Sequence, residues 1–424
     1  MKVVSLKARE IADSRGVSTV EAILETEKGI FRASVPSGIS RGDYEAATIP
    51  AEEAIKKIAE LEPLLARRDF SSQEEFDRFL IEQDGTKNKS DLGGNSTLAL
   101  SMVFCRALAG ERKMPLYQYI YETYHKSGAT PDVAPVKLVR HRESHQLQQL
   151  RRLKLPRPCV LLFEGGKHAP LEALPLTGHG EGGLTFQEIL LVPDGKSFAE
   201  MFNKAKAIFE GLKRRLNYPF GVEGGMAAPL NEEEVLDIVS QQAPEQIGID
   251  VAASSFFSKG GYRFQGKEIS AEELSQFYQN LIKKYNLAFI EDPFSQNDIA
   301  AWKAASSKFK IQNSKFIIVG DDLTATNPER IKMAHERGLC NGVIIKPNQI
   351  GTVWETLQAV QLAKEFGWKI IVSHRAGETE DSFIADLAVG IGADFIKAGG
   401  LSQEVRLAKY TRLLEIEREE RISN

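Results

Sequence analysis

KIIVSHRAGETED, residues 369–381, is an apolar run that stops at a histidine and an arginine and then passes through a glycine into a cluster of acids. A strand buried on both faces has no room for such groups along its length, so they belong at its end. The same grammar recurs through the second half of the chain. IGIDVA, LAFIEDP, KFIIVGDD, NGVIIKP and ADFIKAG are short apolar runs that end in charge at Asp250, Glu291, Asp321, Lys346 and Lys397, with His374 closing the opening stretch. Successive charged ends lie about one βα unit apart. Between them run helices with clear boundaries. Ser270 and Glu273 make a capping box ahead of Leu274, Phe277, Tyr278, Leu281 and Ile282, and Asn327 caps a helix with Pro328 at its first position and Gly338 past its end. Buried parallel strands alternating with helices predict a (β/α)8-type barrel, whose strand C-terminal ends build one common mouth. His374 and Arg375 then face the centre of that mouth.

The preceding residues follow another pattern. STVEAILE and GIFRASV alternate apolar and polar residues around the turn material Glu27-Lys28-Gly29, which predicts a short antiparallel meander. From PAEEAIKKIAEL to STLALSMVFCRALAG the period turns helical. Residues 1–130 are therefore expected to form an α+β domain capping the barrel, and 158–424 the barrel itself. Residues 131–157 are expected to be a basic insertion or linker, with Lys137, Arg140, Arg142, Arg151, Arg152, Lys154 and Arg157 set against Glu143. A formal net charge of −4 over 424 residues offers no global field for nucleic acid or an anionic membrane. Three dispersed cysteines, Cys105, Cys159 and Cys340, imply neither a disulfide framework nor a zinc site. No apolar segment reads as a signal or a membrane span, so a cytoplasmic location is expected.

Three carboxylates on consecutive strand ends, Asp250, Glu291 and Asp321, would repel one another if left bare. A hard divalent cation resolves that, and an all-oxygen donor set favours Mg2+ over zinc. Each acid taken alone would as readily cap the helix that follows it. Lys346 and Lys397, each closing an apolar run, are suited to clamp an anion or to act as a base of lowered pKa. Arg375 offers a fork for phosphate or carboxylate with His374 beside it, unless it pairs with Glu378, Glu380 or Asp381. VPSGISRGDYEA, residues 35–46, carries Ser37, Ser40 and Arg41 on a loop able to close over an anion, and FGVEGGMAAP, residues 220–229, sets Glu223 before two glycines. Neither a Walker A pattern nor a strand-linked GxGxxG is present, so nucleotide binding is not supported.

On AREIADSRGVSTVEA, VPSGISRG, GGKHA, FQEI, VEGG, IGIDVAAS, IEDPF, VGDDLTATNPERI, IIKPNQIGT, VSHRAGETEDSFIADLAVG and RLAKY, the chain resembles the enolases over nearly its whole length. That resemblance implies Mg2+-dependent dehydration of 2-phosphoglycerate to phosphoenolpyruvate, with two Mg2+ per site and a homodimer or larger homo-oligomer. It implies Asp250, Glu291 and Asp321 as ligands of the first Mg2+, and Ser40 as a ligand of the second that also meets substrate. Lys346 matches the base that removes the α-proton, and Glu223 the acid that protonates the departing hydroxyl, with Glu188 beside it. Gln187, His374, Arg375 and Lys397 match substrate contacts, and His168 a loop histidine near the phosphate. In such sites a lysine or histidine base works beside one or two Mg2+. Lys346 is then expected to be neutral and Glu223 protonated.

The departures from the family pattern are specific. Val222 stands where GDEGG carries an acid, Ala376 where SHRSGETED carries a serine, Arg41 where the flap carries a threonine, and Glu164 where an asparagine precedes GGKHA. PLEALPLTGHGEGG lengthens a loop, Ser255 replaces an acid after Asp250, and GGLSQEVR replaces GAPARSER. A lost hydrogen bond to a charged group costs about 1.5–3 kcal/mol, or roughly 10- to 150-fold in binding. Two other readings therefore stand beside the first: a related dehydratase acting on another hydroxy acid, and an enolase-like binding protein of low activity.

Overall fold

The computed structural model describes residues 1, 3–39, 42–127, 153–169, 183–312 and 316–422. Ser40, Arg41, most of the basic segment and most of the lengthened loop lie outside the described residues. Strands β1 (Val3–Ala12), β2 (Ser18–Thr26) and β3 (Gly29–Ser34) form the expected antiparallel meander. Against it pack α1 (Ala51–Leu65) and α3 (Gly94–Glu111), while α2 (Gln73–Asp84) and α4 (Leu116–Ser127) pack on α3. Helix α3 is apolar almost all round because it lies between the sheet and the other helices, and so is buried along nearly its whole length.

The barrel strands are β4 (Arg157–Glu164), β5 (Glu188–Val192) and β6 (Gln246–Asp250), followed, after a small three-stranded sheet β7 (Phe257–Ser258), β8 (Gly261–Phe264) and β9 (Lys267–Ile269), by β10 (Leu287–Glu291), β11 (Ile317–Gly320), β12 (Gly342–Ile345), β13 (Lys369–Ser373) and β14 (Phe395–Lys397). They close in the order β4-β5-β6-β10-β11-β12-β13-β14, with β14 returning to β4. The predicted strands are present, and both capping signals are realised, at Ser270 with Glu273 and at Asn327 with Pro328.

One strand departs from the expected parallel order. β5 runs antiparallel to both β4 and β6. Its EILLV run is buried at every position, and such a run reads the same in either direction. The reversal brings the first residue of β5, not its last, to the mouth: Glu188 stands opposite Glu164 on one side and Asp250 on the other. Arg157, grouped by its charge with the basic insertion, is the first residue of β4 and donates to Val192 O and to Gln246 Oε1 at 3.0 Å each.

The barrel interior is a separate apolar cluster that includes Cys159, Leu161, Leu190, Phe289, Ile344, Ile371 and Phe395. Gly248 makes room for it, because a Cβ there would come within 2.3 Å of the Phe289 ring. The two domains are tied by buried polar contacts. Ser101 Oγ accepts from Val353 N at 2.8 Å, Asp77 Oδ2 accepts from Trp354 N at 2.8 Å, Lys89 pairs with Glu355 at 2.9 Å, and Arg106 forks onto Asp381 at 2.7 Å.

Candidate active site

At the mouth of the barrel lies a cavity of about 200 Å3 lined, among others, by Gln187, Glu188, Glu223, Asp250, Asp321, Lys346, His374, Arg375 and Lys397. These come from the ends of different strands, as the repeated charged endings require. A volume this small suits a compact polar ligand.

Lys397, the last residue of β14, reaches across the mouth. Its ammonium lies 2.5 Å from Glu188, 2.8 Å from Asp250 and 2.9 Å from Glu291. Burial lowers its pKa, but Asp250, Glu188 and Glu291 more than offset this and hold it well above the ordinary lysine value. Glu291 is pushed well up by burial and by the neighbouring Asp250, with Lys397 opposing. Two of the three expected metal ligands thus converge on one ammonium, a cationic stand-in for the charge that an all-oxygen site calls for.

Asp321 looks the other way, to Lys346. The first residue after β12 donates from Nζ to Asp321 Oδ2 at 2.5 Å, while Gln349 Nε2 donates to Asp321 Oδ1 at 2.9 Å. A relay fixes this arrangement: Thr326 Oγ1 donates to Gln349 Oε1 at 2.7 Å and accepts from Lys346 N at 2.9 Å. Asp292, at a left-handed φ of 42°, accepts from the backbone N–H of Asp321 at 2.9 Å and of Asp322 at 2.7 Å, pinning the loop that carries both. Oxygens of Asp292, Asp321 and Asp322 lie within 4.8 Å of one another. Burial and the Asp321 charge raise Asp322 to about 7. The donors for a hard cation are therefore present: Asp250 and Asp321 line the cavity, and Glu291 stands at Lys397. Lys346, which must be neutral to act as a base, is held here toward its charged form. Burial lowers its pKa, but the Asp321 carboxylate outweighs burial and raises it.

A second cluster brings two histidines and two acids together. Nε2 of His374 is 3.6 Å from Glu188 and 3.7 Å from Glu223, and Nδ1 of His168 is 3.3 Å from Glu223. Carboxyl oxygens of Glu188 and Glu223 lie within 4.8 Å of each other and of a ring nitrogen of His374, a spacing at which two buried acids favour keeping one proton between them. The surroundings favour Glu188 as the protonated member. Burial pushes Glu188 well up and the Glu223 charge adds to it, with Lys397 opposing. Burial also raises Glu223, but the neighbouring His168, at 3.3 Å, opposes it, and Glu223 is held well below the usual carboxylate range. Glu223, which must carry a proton to act as the acid, thus stands beside a carboxyl that favours holding one.

The loop carrying Glu223 is supported from beneath by Glu164, which is fully buried. Glu164 Oε2 accepts from Glu223 N at 3.0 Å, and burial together with the Glu223 charge lifts its pKa well up. Gln187 Nε2 is 3.4 Å from Asp250 Oδ2, and His168, Lys167, Ser255 and Ala376 also line the cavity, while Ser40 lies outside the described residues.

Among the described residues, the guanidinium of Arg375 pairs with Glu45 and Asn348. Its Nη1 donates to Glu45 Oε2 at 2.9 Å and to Asn348 Oδ1 at 3.0 Å, and Nη2 donates to Glu45 Oε1 at 3.2 Å. Glu378 accepts instead from the Arg375 backbone N–H at 3.1 Å. Glu45 lies within the quoted 35–46 loop, and Arg406 within the GGLSQEVR segment, yet neither was singled out by pattern. Only the fold brings them to Arg375 and His374.

Two family models match the chain. One, described as the enolase N-terminal domain, covers residues 3–120, and the other, described as the enolase C-terminal TIM barrel domain, covers residues 153–423.

Proposed function

The chain belongs to the enolase family, and on that basis we propose that it dehydrates 2-phosphoglycerate reversibly to phosphoenolpyruvate. One observation carries the reading. Lys346 follows β12 and Glu188 opens β5, which stand across the barrel from each other in strand order, and both line one small cavity. A base and a proton-bearing carboxyl pair on opposite walls suit removal of a proton from one carbon and a hydroxyl from the next.

In this reading Asp321 is drawn to another partner, the Lys346 ammonium releases a proton to solvent, and the neutral amine then takes the α-proton. A proton beside a carboxylate is weakly acidic because its loss places a second negative charge on the same group. Lys397, buried and firmly cationic, faces that charge. Asp250, Glu291 and Asp321 would hold Mg2+, which supplies further charge neutralisation at the substrate carboxylate. The C–O bond of the neighbouring carbon breaks as the double bond forms. The hydroxyl leaves as water with the proton that the Glu188–Glu223 pair holds. Arg375 takes the phosphate in place of Glu45.

The test is an absorbance assay for phosphoenolpyruvate formed from 2-phosphoglycerate, with Mg2+ and with chelator, beside Lys346→Ala. Turnover that needs Mg2+ and disappears in the variant is expected. Folded protein that binds Mg2+ and gives no product would overturn the reading. It would favour another hydroxy acid, for which Ala376 in the cavity wall leaves room.

A further inference from the structure

We propose that Arg406 fixes His374 as the neutral Nε2–H tautomer, so that this ring serves the site as a hydrogen-bond donor and takes up no proton. The inference rests on the reading of the cavity given above and assigns a positioning residue to it. Arg406 is fully buried in the helix that begins at Glu404. Its Nη1 lies 2.6 Å from His374 Nδ1 and donates to Arg375 O at 2.6 Å, while Nη2 donates to Ala376 O at 2.7 Å and to Val222 O at 3.2 Å. Nε donates to Gln403 Oε1 at 3.2 Å.

A guanidinium has only donors and keeps its charge throughout the accessible pH range. The nitrogen facing it at 2.6 Å must therefore offer a lone pair. Nδ1 of His374 is the acceptor, and the ring proton is left on Nε2. That nitrogen faces the cavity between Glu188 and Glu223, at 3.6 and 3.7 Å, too far for a direct bond but suited to an oxygen held between them. The opposite tautomer would point an N–H at a guanidinium and a lone pair at the acids. A doubly protonated ring would do the first as well. Burial lowers the His374 pKa strongly. Glu223 opposes this, and Arg406, Lys397 and Lys346 reinforce it.

One side chain thus sets two things at once. Through Val222 O it holds the loop that presents Glu223, and through Nδ1 it turns His374 into a donor aimed at the same oxygen that Glu223 serves. The departing hydroxyl would receive its proton from the carboxyl pair and a hydrogen bond from His374.

The test is 15N NMR of protein labelled at histidine, with the His374 signals assigned by difference from His374→Gln, recorded with and without Mg2+. A pyridine-type Nδ1 and a pyrrole-type Nε2 at neutral pH are expected. A protonated Nδ1, in either a neutral or a cationic ring, would overturn the proposal whatever the enzyme turns over. Arg406→Lys retains a donor and should keep the tautomer. Arg406→Met should let the ring proton redistribute and lower kcat by roughly 10- to 100-fold with KM little changed. An unchanged tautomer in folded Arg406→Met would also overturn it.

Discussion

Glu45 and Arg375 form a buried, two-pronged ion pair between the N-terminal domain and the barrel, with contacts of 2.9 and 3.2 Å. The arginine that the proposed function assigns to phosphate is thus already held by a carboxylate of the protein. A ligand anion must displace that carboxylate or share the fork with it. Removing one partner of a buried pair costs roughly 3–5 kcal/mol because the other charge is left uncompensated.

Glu45→Gln is therefore expected to lower the melting temperature in the absence of ligand and to recover more of it on adding inorganic phosphate than the parent protein gains. Thermal denaturation with and without phosphate reads both. Equal phosphate responses in the two proteins would show that Glu45 does not compete for Arg375.

The loop beneath Glu223 gives a steric prediction. A Cβ on Gly221 would lie 1.4 Å from Glu164 Oε1, so any larger residue must expel that carboxyl from the loop. Gly221→Ala is expected to reduce both stability and turnover sharply, and Glu164→Ala to restore part of both in the double variant. Energetic additivity of the two substitutions, measured by urea denaturation, would mean that the carboxyl and the glycine are not in contact.

Asp77 gives a prediction in pH. Burial raises its pKa from 3.8 to about 7, against the hydrogen bonds from Gln73, Trp354 N and Ser101. Between those values the folded protein binds the proton and the unfolded chain has released it. Stability from this group is therefore full at low pH and is lost as pH rises toward neutrality. Asp77→Asn should flatten that part of the stability profile, seen as a smaller loss in urea midpoint between about pH 4 and about pH 8. A slope unchanged by the substitution would assign the dependence to other groups.

The charged strand ends were readable because buried strands admit such residues only at their tips, which is why Asp250, Glu291, Asp321, Lys346 and Lys397 meet where the pattern predicts. The direction of β5 was not, since a run buried on both faces carries no mark of polarity. The partner of Arg375 is hidden for a related reason. Nearby acids compete for notice along the chain, while its partner Glu45 reaches it only after the two domains dock. Protonation was the least legible. Resemblance assigns roles to Lys346 and Glu223, but their charge states depend on Asp321 and Glu188, which lie at distances no motif encodes.

The seam of the barrel has a consequence for folding. β14 closes the ring by pairing Phe395 with Arg157, a contact between residues distant in the chain, and such contacts form late because the intervening loop entropy must be overcome first. Lys397 rides on that last strand, while Glu188, Asp250 and Glu291 lie on β5, β6 and β10. The strand that closes the ring is thus the one that brings the counterion for three acids across the barrel mouth, so loss of its pairing would leave all three facing one another uncompensated.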